Sequence, residues 1–391
     1  MKILITGAKG MLGTQVALDL KRGYTELGSI PQAFVGADVV LADVDTLDIT
    51  DKAATEKFIA ECKPDVVINC AAYTNVDGCE SHQDDAFKVN AIGPRNLAIA
   101  CENTGAKLVH VSTDYVFKGD EATPRREYDV TNPISVYGKT KNAGEEFVRQ
   151  YCKKSFIVRT AWLYGYFGKN FVKTMLWLCN ERGGASVVND QHGNPTNAAD
   201  LSHHLLKIAD SDEYGTYHCT NNGECTWYEF ACEIFRQAGL NVKVDPVSAE
   251  QYPAKAKRPS NSRMSKEKLT ENGFEKLPTW QDALKRYVDI LLSIKTKNQE
   301  NADLFVNSLT DNINTEYREF LLPLIQKRIN DIDKLLKQLS SDDKETREKL
   351  LNERLDVNEL YNTTFDIIQK NRTKFVIREQ GEGYSLLLKL I

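Results

Sequence analysis

Tyr137 and Lys141 are two residues whose types and spacing could carry out chemistry. They lie four positions apart in the segment YGKTK, so on a helix both side chains face the same side. A phenol that gives up a proton near neutral pH needs a pKa well below its ordinary value of about 10. A neighbouring ammonium group lowers that pKa because it stabilises the phenolate. The pair therefore indicates proton transfer to a carbonyl oxygen, although a solvated helix face uses the same two residue types.

A glycine-rich turn at the amino terminus indicates the second reactant. Residues 2–6 (KILIT) form a short apolar run, residues 7–13 read GAKGMLG, and an apolar helical pattern follows. This order predicts a strand, a tight turn and a helix. Gly7, Gly10 and Gly13 would let the backbone approach a pyrophosphate, whose charge is bound by amides at the start of the helix. The turn therefore predicts a dinucleotide cofactor.

Alternating strands and helices must position these residues. Apolar runs predict strands at 39–43, 66–69 and 107–112, and helical stretches separate them. This alternation is typical of an α/β fold with a doubly wound, Rossmann-type parallel sheet. Ligands of such sheets lie beyond the carboxyl ends of the strands, where the segment Ser112–Asp114 would lie.

The end of the second strand carries the residues that distinguish NADH from NADPH. Asp43 and Asp45 could each bind the ribose hydroxyls of the adenosine, whereas Lys21 or Arg22 could attract a 2′-phosphate. The choice between NADPH and NADH stays open at this point.

Residues 1–295 resemble the dTDP-4-dehydrorhamnose reductases, a family of the extended short-chain dehydrogenase/reductase superfamily. The order and spacing of ten segments carry the resemblance, and they are more specific than any single motif. The segments are GAKGMLG at 7–13, LDITD at 47–51, INCAAYTNVDGCE at 68–80, KVNAIGP at 88–94, HVSTDYVFKG at 110–119, YGKTKNAGEE at 137–146, RTAWLYG at 159–165, GKNF at 168–171, NDQHGNPTNAADL at 189–201 and RPSNSRM at 258–264.

The resemblance implies a catalytic triad of Thr113, Tyr137 and Lys141. In that scheme Tyr137 protonates the carbonyl oxygen as hydride arrives from the nicotinamide, and Thr113 hydrogen-bonds the same oxygen. Lys141 lowers the pKa of Tyr137 and binds the nicotinamide ribose. Both donors aim at the oxygen on which charge develops, which is the condition for stabilising a transition state.

The resemblance also implies which residues bind the cofactor and the nucleotide sugar. The glycine turn would hold the pyrophosphate, while residues 48–49 would contact the adenine and residues 71–73 the middle of the cofactor. The implied cofactor-binding residues are Gly7, Gly10, Met11, Leu12, Gly13, Asp48, Ile49, Ala71, Ala72, Tyr73, Tyr137 and Lys141. The implied substrate-binding residues are Thr113, Asp114, Tyr115, Trp162, Asn170 and Arg258, and Gln191 and Asn194 fall in motifs of the same side.

Four of these residues have a second interpretation. Thr113 could be an ordinary β-branched strand residue, and Trp162 could belong to the core. Asp48 could be the N-cap of a helix that starts near Thr50. Arg258 suits a diphosphate because a guanidinium binds two oxygens at once, but a surface arginine beside a proline is an equal explanation.

The sequence departs from the family at a metal position. Some relatives dimerise through magnesium held by glutamates, one of them on the first helix, where this chain has Gln15. An amide is a poor replacement for a carboxylate on a hard cation. No metal site is therefore predicted.

Composition predicts a cytosolic enzyme. The chain has 391 residues, 41% hydrophobic and 27% charged, with a net charge of -5, which disfavours a basic nucleic-acid surface. No apolar run is long enough to span a membrane, and the first residues already form the strand of the glycine motif, so no signal peptide is expected. Nine cysteines without a C-x-x-C pair favour reduced thiols over zinc or disulfides.

The resemblance stops near residue 295, after which the pattern becomes helical. Within residues 1–295 the nucleotide sugar would be bound mainly by an α/β part at 162–275. Residues 296–391 predict two amphipathic helices, with Pro323 kinking or dividing the first, and a β-hairpin at 375–388. This module lacks a recognisable catalytic constellation. It could pack on the reductase part, mediate a homodimer or contact another enzyme of the pathway.

Three functions are consistent with these observations. The resemblance implies NAD(P)H-dependent reduction of the 4-keto group of dTDP-4-dehydro-L-rhamnose, giving dTDP-L-rhamnose for cell-surface polysaccharide. A reductase or epimerase of another nucleotide sugar is the second. The third is a catalytically silent regulatory subunit that resembles the β-subunit of methionine adenosyltransferase. Retention of Thr113, Tyr137 and Lys141 favours an enzyme.

Overall fold

A computed structural model describes residues 1–252, 254–295, 316–338 and 344–370. The chain divides into two units, Met1–Val288 and Asp289–Ile391. The strands are β1 Lys2–Thr6, β2 Tyr24–Thr25, β3 Gly28–Ser29, β4 Asp38–Ala42, β5 Val66–Asn69, β6 Lys107–Thr113, β7 Ser155–Thr160, β8 Leu163–Tyr164, β9 Gly184–Val188, β10 His192–Gly193, β11 Thr196–Asn197, β12 Gly215–His218, β13 Cys225–Thr226 and β14 Lys243–Val247. The helices are α1 Met11–Arg22, α2 Lys52–Cys62, α3 Val76–Ser81, α4 Gln83–Phe87, α5 Gly93–Thr104, α6 Val136–Tyr151, α7 Phe171–Arg182, α8 Ala198–Asp210, α9 Trp227–Gln237, α10 Glu267–Glu271, α11 Trp280–Lys295, α12 Glu316–Gln338 and α13 Lys344–Lys370.

The first unit is built on a six-stranded sheet in the order β12-β7-β6-β5-β1-β4. Every pairing in this sheet is parallel. Successive side chains of a strand point to opposite faces, so Ile3 and Ile5 pack with α1 and α8, whereas Leu4 packs with α2 and α5. Helices therefore cover both faces, and the predicted doubly wound α/β fold is confirmed.

The sheet register brings the carboxyl ends of four strands to one edge. Thr6 is aligned with Ala42 of β4 and with Asn69 of β5, which in turn is aligned with His110 of β6. The segments that follow these strands carry most of the predicted cofactor and catalytic residues. Their proximity is a consequence of parallel pairing, because all four strands end on the same side.

Small two-stranded sheets accompany the second half of the first unit. β8 pairs with β11 and β9 with β14 in parallel, while β10 pairs with β13 in antiparallel orientation. The last pair leads into α9, whose first turn is closed by a capping box between Thr226 and Glu229. These elements lie within the predicted substrate-binding part, residues 162–275.

The N-cap interpretation of Asp48 is wrong. The N-cap of α2 is Asp51, whose side chain accepts a hydrogen bond from the Ala54 amide at 3.0 Å. Asp48 instead accepts from the amide and hydroxyl of Thr50 at 2.9 and 2.8 Å, which forms a turn before the helix. The short aspartate side chain supports both motifs, and only the backbone path decides between them.

The second unit contains α12 and α13. Ile329, Ile332 and Val357 form its buried core, with Leu336 and Leu350 packed against them. Arg328 and Glu353, and likewise Arg354 and Asp333, form ion pairs between the two helices. The predicted helical character is confirmed, and α12 runs through Pro323 without dividing. The predicted β-hairpin at 375–388 lies outside the described residues.

Candidate active site

Helix α6 presents the predicted catalytic tyrosine and lysine at its start. The N-cap Ser135 accepts a hydrogen bond from the Gly138 amide at 3.1 Å. A Cβ on Gly138 would collide with the carbonyl oxygen of Tyr115, so glycine lets α6 approach the segment after β6. The rings of Tyr115 and Tyr137 then meet edge to face, 5.5 Å between centroids.

Thr113 and Asp114 lie buried at the carboxyl end of β6. The Thr113 hydroxyl donates to Asp114 Oδ1 at 2.8 Å and accepts from the Tyr115 amide at 3.2 Å. Burial raises the pKa of Asp114 to about 6, against the opposing effect of the hydrogen bond from Thr113. The structure thus brings Thr113, Asp114, Tyr115 and Tyr137 together.

The expected direction of the Tyr137 pKa is corrected by the structure. Burial raises the pKa of Tyr137 above its ordinary value, and a hydrogen bond with the Thr113 side chain is the effect that lowers it. The net shift of this pKa is therefore upward, and the lowering contribution expected from Lys141 stays a prediction. The physical reason is the loss of hydration of a phenolate, which outweighs the favourable contacts.

Lys141 is held in the interior of the site and is only 2% exposed. Its Nζ donates to the carbonyl oxygen of Val111 at 2.7 Å and lies 3.5 Å from His110 Nε2. Burial lowers the pKa of Lys141 to about 8, while the negative charge of Glu145 opposes that shift. Lys141 therefore exchanges its proton much closer to neutral pH than an exposed lysine does.

A buried ion cluster beneath the site was not found from the sequence. Glu145 accepts from Arg159 at 2.8 and 2.7 Å and from the Ser112 hydroxyl at 2.6 Å. The pKa of Glu145 stays lowered although burial opposes this, because the charges of Arg159 and Arg149 stabilise the carboxylate. The cluster ties α6 to the ends of β6 and β7. The signal was present in the segment GEE at 144–146, in which Glu145 lies four residues after Lys141.

The glycine turn fits a dinucleotide. Gly7 has φ of 67°, and a Cβ on it would lie 2.6 Å from the Ala71 amide nitrogen. A Cβ on Gly13 would collide with the carbonyl oxygen of Gly7, whereas one on Gly10 would meet only that oxygen, at 3.2 Å. Gly7 and Gly13 are thus required by packing, and Gly10 leaves space open in front of the helix.

The start of α1 is suited to a pyrophosphate. It has no side-chain cap and no acidic residue in its first turn, so its amides are available to an anion. Met11 and Leu12 begin the helix, and Leu12 packs into the core. The residues present therefore fit a dinucleotide at this turn.

The segment Ala71–Tyr73 runs along the same edge of the sheet. The Ala71 amide donates to Asn69 Oδ1 at 3.1 Å, and Tyr73 and Asn90 exchange hydrogen bonds of 2.8 and 3.1 Å. Asn90 also donates to the Thr140 hydroxyl on α6 at 3.1 Å. Asn90 therefore connects the predicted cofactor segment to the catalytic helix. Asn90 lies in the segment KVNAIGP, but the sequence alone did not indicate this role.

The part of the predicted cofactor site that would bind the adenosine contains both acidic and basic side chains. Asp43 accepts from the Lys9 amide at 2.9 Å, and Lys9 Nζ forms an ion pair with Asp45 at 2.5 Å. Lys21 and Arg22 lie in the last turn of α1, at the opposite end from the glycine motif. Lys9 is thus the cation beside the predicted ribose position. Ile49 is buried below Gly93, and adenine contact by Asp48 and Ile49 stays a prediction.

Trp162 is half-buried and has a backbone φ of 48°. Its indole stacks on Trp227 with centroids 3.6 Å apart and an interplanar angle of 10°. A Cβ on Gly193 would collide with this indole. A positive φ is uncommon for a bulky residue, so the fold enforces this position. The indole is neither free at the surface nor wholly in the core.

Two predicted polar residues of the sugar side make hydrogen bonds within the protein. Asn170 is the N-cap of α7, and its Nδ2 donates to the carbonyl oxygen of Gly165 at 2.7 Å. Asn194 donates to the carbonyl oxygen of Gly223 at 2.6 Å and accepts from the Met264 amide at 2.9 Å. Gln191 is buried. Substrate contact by these residues stays a prediction.

Arg258 pairs with an aspartate that the sequence did not single out. Its guanidinium lies 2.9 Å from Asp77 Oδ2 on α3, and Asp77 Oδ1 accepts from the Ala256 amide at 2.9 Å. These contacts hold the pKa of Asp77 below its ordinary value, the Ala256 amide making the largest contribution. The surface-arginine interpretation is therefore incomplete, because Arg258 is held in place by a defined partner.

The remaining expectations concern metals, membranes and thiols. Gln15 is buried and donates to Asp19 at 3.0 Å. Within the described residues, no group of three histidine, cysteine or acidic side chains could hold a metal ion. None of the helices in those same ranges is long and apolar enough to cross a membrane. All nine cysteines are free thiols.

Together the sheet, the glycine turn and the tyrosine-lysine helix define a class of protein, the nicotinamide-dependent carbonyl oxidoreductases of the short-chain dehydrogenase/reductase type. The family described as "RmlD substrate binding domain" matches residues 1–293. The chain belongs to this family, that of the dTDP-4-dehydrorhamnose reductases.

Individual relatives agree with this assignment. The dTDP-4-dehydrorhamnose reductase of Escherichia coli (strain K12) is 38% identical over 304 residues, covering 75% of this chain and 99% of the relative. The spore coat polysaccharide biosynthesis protein SpsK of Bacillus subtilis (strain 168) is 38% identical over 287 residues, covering 73% and 96%.

Solved structures give the same picture. A dTDP-4-dehydrorhamnose reductase of Clostridium acetobutylicum has a TM-score of 0.70 and 48% identity, covering 75% of this chain and 100% of its own. That of Bacillus anthracis, in complex with NADP, has a TM-score of 0.69 and 44% identity, covering 74% and 100%.

Proposed function

We propose that this chain reduces the 4-keto group of dTDP-4-dehydro-L-rhamnose with NADPH or NADH, giving dTDP-L-rhamnose. The observation that carries the proposal is the meeting of Thr113, Asp114 and Tyr137 at the end of β6, on the same edge of the sheet as the glycine turn. Membership of the reductase family supports the reaction class. Binding of NADP by the Bacillus anthracis relative supports the cofactor.

In the proposed mechanism, Tyr137 is the general acid. A bound nicotinamide supplies hydride, and the phenol of Tyr137 gives its proton to the carbonyl oxygen. The raised pKa of Tyr137 keeps the phenol protonated before reaction. The Thr113 hydroxyl, which donates to Asp114 in this structure, can turn to donate to the same oxygen. Both donors would stabilise charge where it develops.

Lys141 and Asp114 have supporting roles in this proposal. Lys141, fixed by the carbonyl of Val111, would contact the nicotinamide ribose. Asp114 and Tyr115 would border the reacting carbonyl and contact the sugar, and Trp162 would contact the sugar as well. Arg258 would bind the diphosphate after exchanging Asp77 for phosphate oxygens, since both partners offer paired anionic oxygens to a guanidinium.

We infer further that residues 1–295 contain the whole catalytic apparatus. Every proposed catalytic and binding residue precedes residue 259, and the family match ends at residue 293. Residues 296–391 would contribute stability or association, through a homodimer or a contact with another enzyme of the pathway.

The test uses purified full-length protein with NADPH or NADH and a panel of nucleotide 4-keto sugars. Loss of absorbance of the reduced nicotinamide with dTDP-4-dehydro-L-rhamnose, and much less with UDP-linked analogues, is the expected result. Turnover of none of these sugars would overturn the proposal and favour a regulatory subunit. Turnover of a different nucleotide sugar alone would correct the substrate.

A further inference from the structure

A chain of buried hydrogen bonds leads from β1 through β5 and β6 to Lys141. Thr6 donates to Asn69 Oδ1 at 2.8 Å, Asn69 Nδ2 lies 2.9 Å from His110 Nδ1, and His110 Nε2 lies 3.5 Å from Lys141 Nζ. Thr6, Asn69 and His110 are each at most 1% exposed. The proposed mechanism uses only the last member of this chain.

The orientation of the Asn69 amide is determined by its neighbours. Asn69 Oδ1 faces the Ala71 amide at 3.1 Å. A backbone N–H can only donate a hydrogen bond, so the atom facing it must be the oxygen. The other end of the side chain, which faces His110, is therefore the NH2 group.

This orientation determines the tautomer of His110. An amide NH2 group can only donate, so His110 Nδ1 must accept and carries no proton. Burial, reinforced by the positive charges of Lys141 and Arg149, holds the pKa of His110 well below its ordinary value. The ring is thus neutral, and its single proton lies on Nε2, the nitrogen that faces Lys141.

An N–H proton that faces Lys141 discriminates between the two forms of the lysine. An uncharged amine can accept a hydrogen bond from His110 Nε2, whereas an ammonium group offers only donors to it. The titratable groups whose charges act on Lys141 are Glu145 on α6 and Cys70 after β5. The carboxylate of Glu145 favours the ammonium form of Lys141. The N–H of His110 disfavours that form, so the two residues act on Lys141 in opposite directions.

We propose that His110, held as its Nε2–H tautomer by Asn69, is a positioning residue that shifts Lys141 toward the uncharged amine and thereby sets the alkaline limit of reductase activity. The inference rests on the proposed function, in which the ammonium group of Lys141 contacts the nicotinamide ribose beside the general acid Tyr137, so that activity falls as Lys141 loses its proton. Burial acts in the same direction, since it disfavours the charged form of the lysine.

The tautomer is tested without any reaction. Long-range proton–nitrogen correlation spectra of the full chain, labelled with ¹⁵N-histidine, report which ring nitrogen carries the proton, and a His110→Met variant assigns the signals. We expect a protonated Nε2 and an unprotonated Nδ1 at neutral pH. A proton on Nδ1, or on both nitrogens, would overturn the proposal.

The effect on Lys141 is tested by reversing the tautomer. In Asn69→Asp, one carboxylate oxygen still accepts from Thr6 and Ala71, while the other accepts from His110 Nδ1–H. His110 Nε2 then becomes an acceptor for the ammonium group of Lys141. The alkaline limb of the kcat/KM profile should move up by about one pH unit. Thr6→Val is the matched control, because Ala71 still orients Asn69, and it should leave the limb in place.

A double variant separates the tautomer from the added charge. If His110 transmits the effect, combining Asn69→Asp with His110→Met should remove most of the shift. An equal shift with and without His110 would show that the new carboxylate acts on Lys141 by charge alone. Should the chain reduce no nucleotide sugar, the proposed function fails, while the ring spectra and the pH dependence of NADPH affinity still decide the role of His110.

Discussion

The guanidinium of Arg258 lies 2.9 Å from the carboxylate of Asp77, 181 positions earlier in the chain. Asp77 also accepts from the Ala256 amide, so one carboxylate holds both the arginine and its backbone segment. A dianionic diphosphate would compete for the same guanidinium.

Replacing Arg258 with methionine should weaken nucleotide-sugar binding. Loss of a charge-assisted contact of about 1.5–3 kcal/mol corresponds to a rise in KM of roughly 10- to 100-fold. Because Arg258 does not touch the reacting carbonyl in the proposal, kcat should change little. The control is Asp77→Asn, whose oxygen can still accept from Ala256 but no longer neutralises the arginine, and its KM should be unchanged or lower. A normal KM for Arg258→Met would remove this residue from the site.

Tyr137→Phe should reduce kcat by roughly the 10²- to 10⁴-fold typical of a positioned general acid. NADPH affinity, measured by calorimetric titration, should stay near that of the unaltered protein. Tyr151→Phe, at the other end of α6, is the matched control, because its ring keeps its contact with Phe147. Full turnover by the Tyr137 variant would show that the proton has another source.

Two glycines of the same turn should respond differently to substitution. Gly10 has an ordinary φ of -76°, so Gly10→Val should fold and bind NADPH more weakly because a side chain enters the space of the pyrophosphate. Gly7 has φ of 67° and touches Ala71, so Gly7→Ala should lower the free energy of unfolding by more than about 1 kcal/mol. Calorimetry and denaturant titration distinguish these outcomes. Unchanged NADPH affinity in folded Gly10→Val would mean that the turn is only structural.

Asp19 should make stability depend on pH. Burial raises the pKa of Asp19 to about 7, against hydrogen bonds from Ser202 and Gln15. In the unfolded chain this acid ionises near pH 4. The contribution of Asp19 to the free energy of unfolding therefore falls as pH rises from about 4 to 7. Asp19→Asn should remove this loss, on the order of 4 kcal/mol at pH 8. Denaturant unfolding of both proteins at pH 5 and pH 8 measures it, and an equal difference at both values would contradict the assignment.

Removal of residues 296–391 should leave the chemistry intact. The shortened protein, ending at Lys295, should keep the kcat and KM of the full chain, since the proposed site residues all lie before its end. Thermal unfolding and light scattering then report what the removed residues contribute: a lower midpoint indicates stabilisation, and a smaller assembly indicates association. If the shortened protein folds and binds cofactor but has no reductase activity, part of the active site lies after residue 295.

Much of this protein could be derived from local sequence. The strands at 2–6, 66–69 and 107–113, the glycine turn and the start of α6 follow from apolar periodicity and from glycine or serine at defined positions. These signals are local because each depends on the few residues that build one element. The parallel sheet follows from their alternation, and parallel strands bring the turn and the Ser-Thr-Asp segment to one edge without further information.

Other features were decided only by the tertiary structure. The contacts of Asp77 with Arg258 and of Asn69 with His110 join residues far apart in the chain, and no local sequence pattern predicts them. The direction of the Tyr137 pKa belongs to the same class, because the sequence shows that a lysine lies four residues away but not how much water the phenol loses. The pKa of a buried group depends on the loss of water and on the charges contributed by every element packed around it. These effects arise only once the chain has folded.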